Sequence, residues 1–168
     1  MSAWRHVAAI LLLPVMATVV VPALLEWNAE VEFSPLFAFG GLLVAVGLLL
    51  FVTTVVLFAR IGQGTLAPWD ATSRLVVRGP YRHVRNPMIS GVCAVLLGEA
   101  LLLGAVNLLY WFGFVLLLNM IYLPLVEEPG LAQRFGADYL RYKQNVPRWI
   151  PRLRPWHGGC PPGKALPR

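Results

Sequence analysis

Charged residues are scarce in this sequence of 168 residues. They make up 13% of the chain, about half of the roughly 25% that soluble domains carry. Hydrophobic residues make up 58%, and the mean hydropathy is +0.66. So little charge excludes an ordinary soluble domain, and the composition predicts a membrane protein.

Side chains with reactive or metal-binding chemistry are also few. The chain has two cysteines and three histidines, and neither Cys93 nor Cys160 has metal-ligand spacing. The cysteines lie far apart in a predicted reducing compartment, which argues against a disulfide. No Ser/His/Asp or Cys/His arrangement is present, so the sequence predicts neither a metal site nor a covalent catalytic nucleophile.

Long apolar runs dominate what is present. A membrane-spanning helix needs roughly 20 apolar residues to cross about 30 Å of hydrocarbon. Four runs meet this requirement, at residues 7–25, 36–59, 87–104 and 107–126. Only Gly104 and Asn107 interrupt the last two, which predicts a tight helical hairpin. We therefore expect an all-α polytopic protein of about four transmembrane helices, followed by a cytoplasmic amphipathic helix.

The distribution of charge predicts the orientation. With four spans, all 14 Lys and Arg residues fall on one side, and Glu26, Glu30 and Glu32 fall on the other. The positive-inside rule then places both termini in the cytoplasm. The first run is too long for a signal peptide and lacks a convincing cleavage site. Because the basic residues flank helix ends, the net charge of +6 indicates anionic lipid and not nucleic acid.

A face of apolar residues follows the fourth run at spacings of three and four, as in an amphipathic helix. Its members are Leu131, Phe135, Tyr139, Tyr142 and Val146. This segment either lies on the membrane or folds under the hairpin and closes a pocket. Gly136 is predicted to interrupt it, and Pro147 to end it. The Gly/Pro-rich tail, residues 157–168, is predicted to be disordered.

A basic motif, G-P-Y-R-H-V-R-N-P-M, precedes the third run at residues 79–88. Pro87 suits the first turn of a helix, where its missing N–H costs nothing. Arg82, His83 and Arg85 either anchor the helix end at the membrane interface, or form an anion site with the free helix N-terminus.

An acidic pair, Glu127 and Glu128, follows the fourth run. It either caps a helix that begins near Pro129, or binds a cationic or hydroxyl-rich ligand, or pairs with the arginines. A hairpin symmetric about residue 105 places residues 84–88 beside residues 122–126. We therefore expect the basic motif and the acidic pair to meet at one depth.

Two polar residues lie inside the predicted spans. Glu99 is expected opposite Trp111, protonated and hydrogen-bonded to an indole or a tyrosine, and the sequence does not specify its role. Asn119 lies nearer the cytoplasmic end, where it either joins helices or lines a pocket.

Three segments in this order resemble the isoprenylcysteine carboxyl methyltransferase family, part of a broader group with the phospholipid N-methyltransferases. They are G-P-Y-R-H-V-R-N-P-M-I-S-G at 79–91, E-E-P-G-L at 127–131 and R-F-G-A-D-Y-L-R-Y-K-Q-N-V-P-R-W-I-P at 134–151. The resemblance covers residues 75–152 of a single predicted domain, residues 1–156. The R-H/N-P-x-Y-x-G motif of the family falls on residues 85–91, with Ile89 in place of tyrosine.

The resemblance implies an integral membrane methyltransferase that uses S-adenosyl-L-methionine without a Rossmann domain. The acceptor would be lipid-soluble: an isoprenylcysteine-type carboxylate, a phospholipid amine or another small hydrophobic molecule. The sequence gives no sign that the enzyme needs a protein partner. The implied cofactor-binding residues are Tyr81, Arg82, His83, Asn86, Pro87, Glu127 and Glu128. The implied substrate-binding residues are Arg85, Asn119 and Arg148. Arg85 would orient the acceptor, and His83 would accept its proton.

Two other functions compete with this one. Sterol-reductase-like membrane enzymes carry a similar R-H-P-N-Y-L-G motif and use NADPH, but Met88 and Ile89 depart from that motif, and the chain is short for the reductase core. A non-enzymatic membrane protein that binds anionic lipid through its basic face is the third possibility.

Overall fold

The computed structural model describes residues 14–27, 35–57, 60–61 and 75–158. These residues form helices and connecting loops, with no strand among them. The start of the first apolar run and most of the linker before the basic motif lie outside the described residues. The predicted disordered tail also lies outside them, apart from residues 157–158.

Within the described residues, five helices follow the apolar and amphipathic runs that the sequence predicts to be helical. They are α1 Met16–Leu25, α2 Pro35–Leu57, α3 Pro87–Leu103, α4 Val106–Tyr122 and α5 Glu128–Asn145. Gly104 ends α3 with a φ of 61°, a conformation that glycine adopts without steric cost. Because only Gly104 and Ala105 separate α3 from α4, and Ala100, Ala105 and Leu108 pack together there, the predicted hairpin is confirmed.

Two helical stretches in the described residues are long and apolar enough to cross a membrane, Leu36–Leu57 and Val106–Asn145. Only 17% and 11% of their most apolar windows are buried, unlike a core helix of a soluble protein. Met16–Leu25 and Pro87–Leu103 are apolar but shorter. These features indicate membrane association, whereas the four-span count and the orientation stay predictions.

The stretch Val106–Asn145 has 40 residues; a straight α-helix of that length would extend about 60 Å, twice the thickness of the hydrocarbon layer. Its apolar part ends at Val126, so α5 extends beyond the spanning segment. A π-helical turn, Leu123–Glu127, joins α4 to α5. Pro124 within this turn has no N–H to donate to the preceding turn, which favours the wider hydrogen-bonding pattern.

The amphipathic segment packs against the chain segments that flank the hairpin in sequence. Tyr139, Tyr142 and Val146 are buried together, and Leu131 and Phe135 pack against them. Leu75, Val77 and Trp156 from the flanking segments complete this cluster. Gly136 bends α5 with a φ of 51° and a ψ of −128°, so the predicted interruption is confirmed.

Pairs of glycines bring α2 and α3 into backbone contact. A Cβ atom added at Gly47 would lie 2.7 Å from the Gly91 carbonyl oxygen, and one at Gly40 would lie 2.8 Å from that of Gly98. Small residues allow such close approach between apolar helices, which lack a hydrophobic force between them in lipid. This packing holds α3, and thus the basic motif before it, against α2.

We expect Gly47→Ala to lower the free energy of unfolding by roughly 1–3 kcal/mol, because backbone atoms must move to admit the methyl group. Thermal unfolding in detergent measures this change. Gly41→Ala is the matched control on the same helix, since a Cβ atom there meets nothing within 4 Å. Equal destabilisation by the two substitutions would contradict the close helix contact.

Candidate functional site

The chain after α5 pairs with the basic motif. We call residues 79–86 the basic loop and residues 146–158 the C-terminal segment. Backbone hydrogen bonds run from Arg85 N to Pro147 O at 2.9 Å, from Arg152 N to His83 O at 3.0 Å and from Trp156 N to Arg82 O at 3.0 Å. The C-terminal segment therefore fixes the basic loop directly in front of α3.

Two tyrosines secure the same contact from the buried side. The Tyr142 hydroxyl donates to the Tyr81 carbonyl oxygen at 2.8 Å, and both residues are buried. Burial raises the pKa of both phenols above their usual value, so Tyr142 acts as a neutral donor. The basic loop is thus attached to α5 as well as to the C-terminal segment.

Glu128 gathers three cations from three parts of the chain. Arg85 Nη1 donates to Glu128 Oε1 at 2.9 Å, and Arg148 Nε donates to the same oxygen at 2.6 Å. Lys143 Nζ lies 2.8 Å from Glu128 Oε2. We call these four residues the charged cluster. The predicted meeting of the basic motif and the acidic pair is confirmed by the contact between Arg85 and Glu128.

The cations keep Glu128 ionised although its side chain is only 4% exposed. Burial alone would raise its pKa, but the hydrogen bonds from Arg148 and Lys143 and the charge of Arg85 lower the pKa below its usual value. In return, the hydrogen bond to Glu128 raises the pKa of Arg148. The charged cluster is a structural tie between the basic loop, α5 and the C-terminal segment.

Glu127 differs sharply from its neighbour. Burial, and then the adjacent charge of Glu128, raises the pKa of Glu127. No hydrogen bond or ion pair joins its carboxylate to any other residue within the described ranges. A half-buried acid of this kind gains from a cationic or hydroxyl-bearing ligand.

The basic loop contains buried donors without a partner. Within the described residues, Arg82 Nε, Arg85 Nε and Asn86 Nδ2 are buried and make no hydrogen bond. Asn86 is also the N-cap of α3, and its side chain does not cap the helix. Because an unsatisfied buried donor is costly, these atoms and the helix N-terminus suit a carboxylate or phosphate ligand.

The hydrogen bond of His83 assigns its tautomer. Its Nδ1 lies 2.8 Å from the Arg152 carbonyl oxygen, and a carbonyl only accepts hydrogen bonds. Nδ1 therefore carries the proton, and in the neutral ring Nε2 holds the lone pair. This arrangement suits a proton acceptor, as the resemblance implied for His83.

The remaining site predictions have different outcomes. Pro87 is buried at the first turn of α3, as expected. Asn119 donates to the Val115 carbonyl of its own helix at 2.8 Å and lies eight residues before Glu127, about 12 Å along the helix. The structure therefore does not bring Asn119 into the charged cluster.

The structure narrows two open expectations about acidic residues. Glu127 and Glu128 lie within a continuous helical path, because the π turn runs directly into α5, and Glu127 makes no capping hydrogen bond. The helix α5 does begin at Glu128, close to the expected start near Pro129, but no side-chain hydrogen bond from Glu127 caps it. The Trp111 indole donates to the Ala17 carbonyl at 2.9 Å, so it is not the partner of Glu99.

Sequence reasoning missed Lys143 and Arg152. Lys143 reaches Glu128 only because α5 bends at Gly136, and nothing in the local sequence indicates that contact. Arg152 acts mainly through its backbone, which any residue type provides. Among the described residues, cavities of about 320 and 140 Å³ lie away from the charged cluster, beside Trp111 and beside Phe51 respectively.

The sequence model of a family described as phospholipid methyltransferase matches residues 36–138. The match covers more than half of the chain and includes α2, the basic loop, the hairpin and both acidic residues. The chain belongs to the phospholipid methyltransferase family. This agrees with the resemblance drawn from the three sequence segments.

One curated relative extends this comparison. The chain is similar to an uncharacterized protein of Haemophilus influenzae, with 39% identity over 66 residues, which is 38% of this chain and all of that protein. No solved structure matches the chain. The match to the phospholipid methyltransferase family ends before Lys143 and Arg148, so two of the three cations on Glu128 lie outside it.

We expect Glu128→Gln to lower the free energy of unfolding at pH 7 by about 3 kcal/mol, since three cations lose their shared carboxylate. The folded-state pKa of Glu128 is below the usual 4.5, so its ionised form stabilises the fold above that pH. This contribution disappears as the pH falls through the lower folded pKa, and the substitution removes it. Thermal unfolding between pH 3 and pH 8 measures both effects.

Glu127→Gln is the matched control for this measurement. Its folded-state pKa is raised, so ionisation of Glu127 weakens the fold as the pH rises, and the neutral amide is expected to be neutral or slightly stabilising at pH 7. A loss at Glu127→Gln as large as that at Glu128→Gln would contradict the division of roles between the two acids.

Proposed function

We propose that the chain is an integral membrane methyltransferase that transfers a methyl group from S-adenosyl-L-methionine to a lipid-soluble acceptor. Membership of the phospholipid methyltransferase family supports methyl transfer. The observation that carries the proposal is the contact of Arg85 with Glu128, which joins the basic loop to the acidic pair where two apolar helices end. Polar groups that suit a charged cofactor therefore lie at a place that a molecule dissolved in lipid can reach.

The residues at this location fit the cofactor. S-adenosyl-L-methionine carries an ammonium, a sulfonium, a ribose diol and a carboxylate. Glu127 has no described partner and suits the ammonium or the diol, whereas Arg82 Nε and Asn86 Nδ2, both buried without a partner, suit the carboxylate. The α3 N-terminus adds its free N–H groups to the anion site.

The roles within the acidic pair are thus unequal. Glu128 is held by Arg85, Lys143 and Arg148, so we assign it the role of holding the basic loop in place. Glu127 is assigned direct contact with the cofactor. Tyr81 and Pro87 shape the buried wall of the site, while Arg148 closes it from the C-terminal segment.

The cofactor, when bound, supplies a methyl group on a cationic sulfur. The chain then has to align an acceptor in line with that methyl group and keep water away from it. Arg85 orients an anionic part of the acceptor through its unpartnered Nε. His83, with the lone pair on Nε2, accepts a proton when the acceptor loses one, and Arg152 O holds its ring in that tautomer.

The acceptor reaches this site from the bilayer. Leu125 and Val126, which directly precede Glu127 and Glu128, are 69% and 54% exposed, so lipid can contact the helix up to the acidic pair. An isoprenylcysteine-type carboxylate, a phospholipid amine and another small hydrophobic acceptor all meet this condition. We assign four spans, with both termini and the site on the cytoplasmic side.

Two alternative functions predict different ligands. A sterol-reductase-like enzyme would bind NADPH, and a non-enzymatic lipid-binding protein would bind neither cofactor. The phospholipid methyltransferase family match favours methyl transfer over both.

Titration of the detergent-purified protein with S-adenosyl-L-methionine and with NADPH distinguishes the three functions. Binding of NADPH alone would overturn the methyltransferase proposal, as would binding of neither.

We expect the affinity for S-adenosyl-L-methionine to rise as the pH increases through the raised pKa of Glu127, because only the ionised carboxylate attracts the cationic cofactor. Glu127→Gln should weaken binding about tenfold, equivalent to roughly 1.4 kcal/mol, and remove the pH dependence. Calorimetric titration from pH 5 to pH 8 measures both effects.

Glu99→Gln is the control, because Glu99 lies 12 residues beyond Pro87, about 18 Å along α3, and should leave binding nearly unchanged. Equal weakening by the two substitutions would contradict the placement of the cofactor site. Incubation with a labelled methyl donor and a total lipid extract, followed by isolation of the labelled product, then identifies the acceptor.

A further inference from the structure

Two large aliphatic side chains are exposed in the C-terminal segment. Ile150 is 79% exposed and Leu153 is 97% exposed, although neither belongs to an apolar helix. Single exposed apolar residues are common on protein surfaces. Here, however, they stand three residues apart in W-I-P-R-L-R, next to the arginines 152 and 154, and this combination of aliphatic and basic residues is typical of membrane-surface segments.

Hydrogen bonds hold this segment close to the start of α3. Arg152 pairs with His83 in both directions, through the Arg152 N–H to the His83 carbonyl at 3.0 Å and through the His83 ring to the Arg152 carbonyl at 2.8 Å. His83 precedes the first residue of α3 by only four positions. His83 therefore lies within about 14 Å of the start of that apolar helix, and Arg152 lies beside His83. We infer from this that the segment is near the lipid headgroups at that helix end.

The charges around the two aliphatic residues favour an anionic partner. Arg152 Nη1 donates to the Asn145 carbonyl oxygen, and no carboxylate of the described residues pairs with Arg152 or Arg154. Their charges remain available to phosphate groups, to which each basic residue near a membrane surface is attracted. A protein partner would need an acidic surface with an apolar centre, whereas an anionic leaflet provides both features beside α3.

We propose that residues 149–154 form a membrane-surface anchor, in which Ile150 and Leu153 insert into the leaflet beside α3 while Arg152 and Arg154 bind anionic phospholipid headgroups. This anchor is separate from the cofactor site and from the methyl acceptor.

The anchor also affects the order of the site. The C-terminal segment supplies Arg148 to Glu128 and the Pro147 carbonyl to the basic loop. Attachment of residues 149–154 to an anionic surface therefore stabilises the contacts of the C-terminal segment with Glu128 and the basic loop. A neutral surface stabilises these contacts less.

Spin labels in the full-length protein test the proposal. Leu153→Cys is labelled in a background with Cys93→Ala and Cys160→Ser, and reconstituted in nanodiscs of phosphatidylcholine alone or with 30% phosphatidylglycerol. Collision with oxygen reports a lipid environment, and collision with a nickel chelate reports water. We expect at least twofold greater preference for oxygen at 153 in the anionic discs, with loss of this difference in Arg152→Gln/Arg154→Gln.

Gln133→Cys, on the exposed polar face of α5, is the aqueous control and should prefer the nickel chelate in both discs. Preference for nickel at 153 in both discs would overturn the anchor. Low collision with both reagents at 153 would indicate a protein contact and would also overturn it. Oxygen preference without dependence on the anionic lipid would overturn the role of the arginines. These outcomes do not depend on cofactor binding, so a failure of the anchor proposal can be distinguished from a failure of the methyltransferase proposal.

Discussion

The ion pair between Arg85 and Glu128 is the interaction on which the rest of the site depends. It connects the loop before α3 with the start of α5, and Lys143 and Arg148 attach the end of α5 and the C-terminal segment to the same carboxylate. Because Glu128 is almost fully buried, the loss of one partner leaves charges without compensation in a poorly hydrated environment. The methyltransferase site proposed here is therefore built around a carboxylate that itself has little room for a ligand.

The division of labour between adjacent glutamates follows from this constraint. Glu128 is ionised and saturated with cations, whereas burial and the charge next to it raise the pKa of Glu127. A raised pKa in a half-buried acid is typical of residues that gain from a charged ligand. Glu128 thus has a structural role, whereas Glu127 suits a cationic cofactor. Because both residues are glutamates, the residue type alone does not distinguish these roles.

Much of the fold could be predicted from the sequence, because apolar periodicity and glycine or proline positions are local signals. The hairpin turn at Gly104, the bend at Gly136 and the buried face around Tyr139 and Tyr142 all carry such signals. The contacts of Lys143 and Arg152 could not be predicted, since they depend on how distant segments pack. The sequence left the role of the acidic pair open for a related reason: the π turn runs directly into α5, so Glu127 stands at a helix start without making a capping hydrogen bond.

The π turn at Pro124 has a consequence for the spacing of the whole hairpin. Each residue of a helix rotates the following ones by about 100° and advances them by about 1.5 Å. The number of residues from Gly104 to Glu128 therefore determines how far along the helix axis the Glu128 carboxylate lies from the hairpin turn. The same number determines the direction in which that carboxylate points around the axis. A chain of this kind tolerates exchanges of apolar residue type along α4 far more readily than a change in the helix's length.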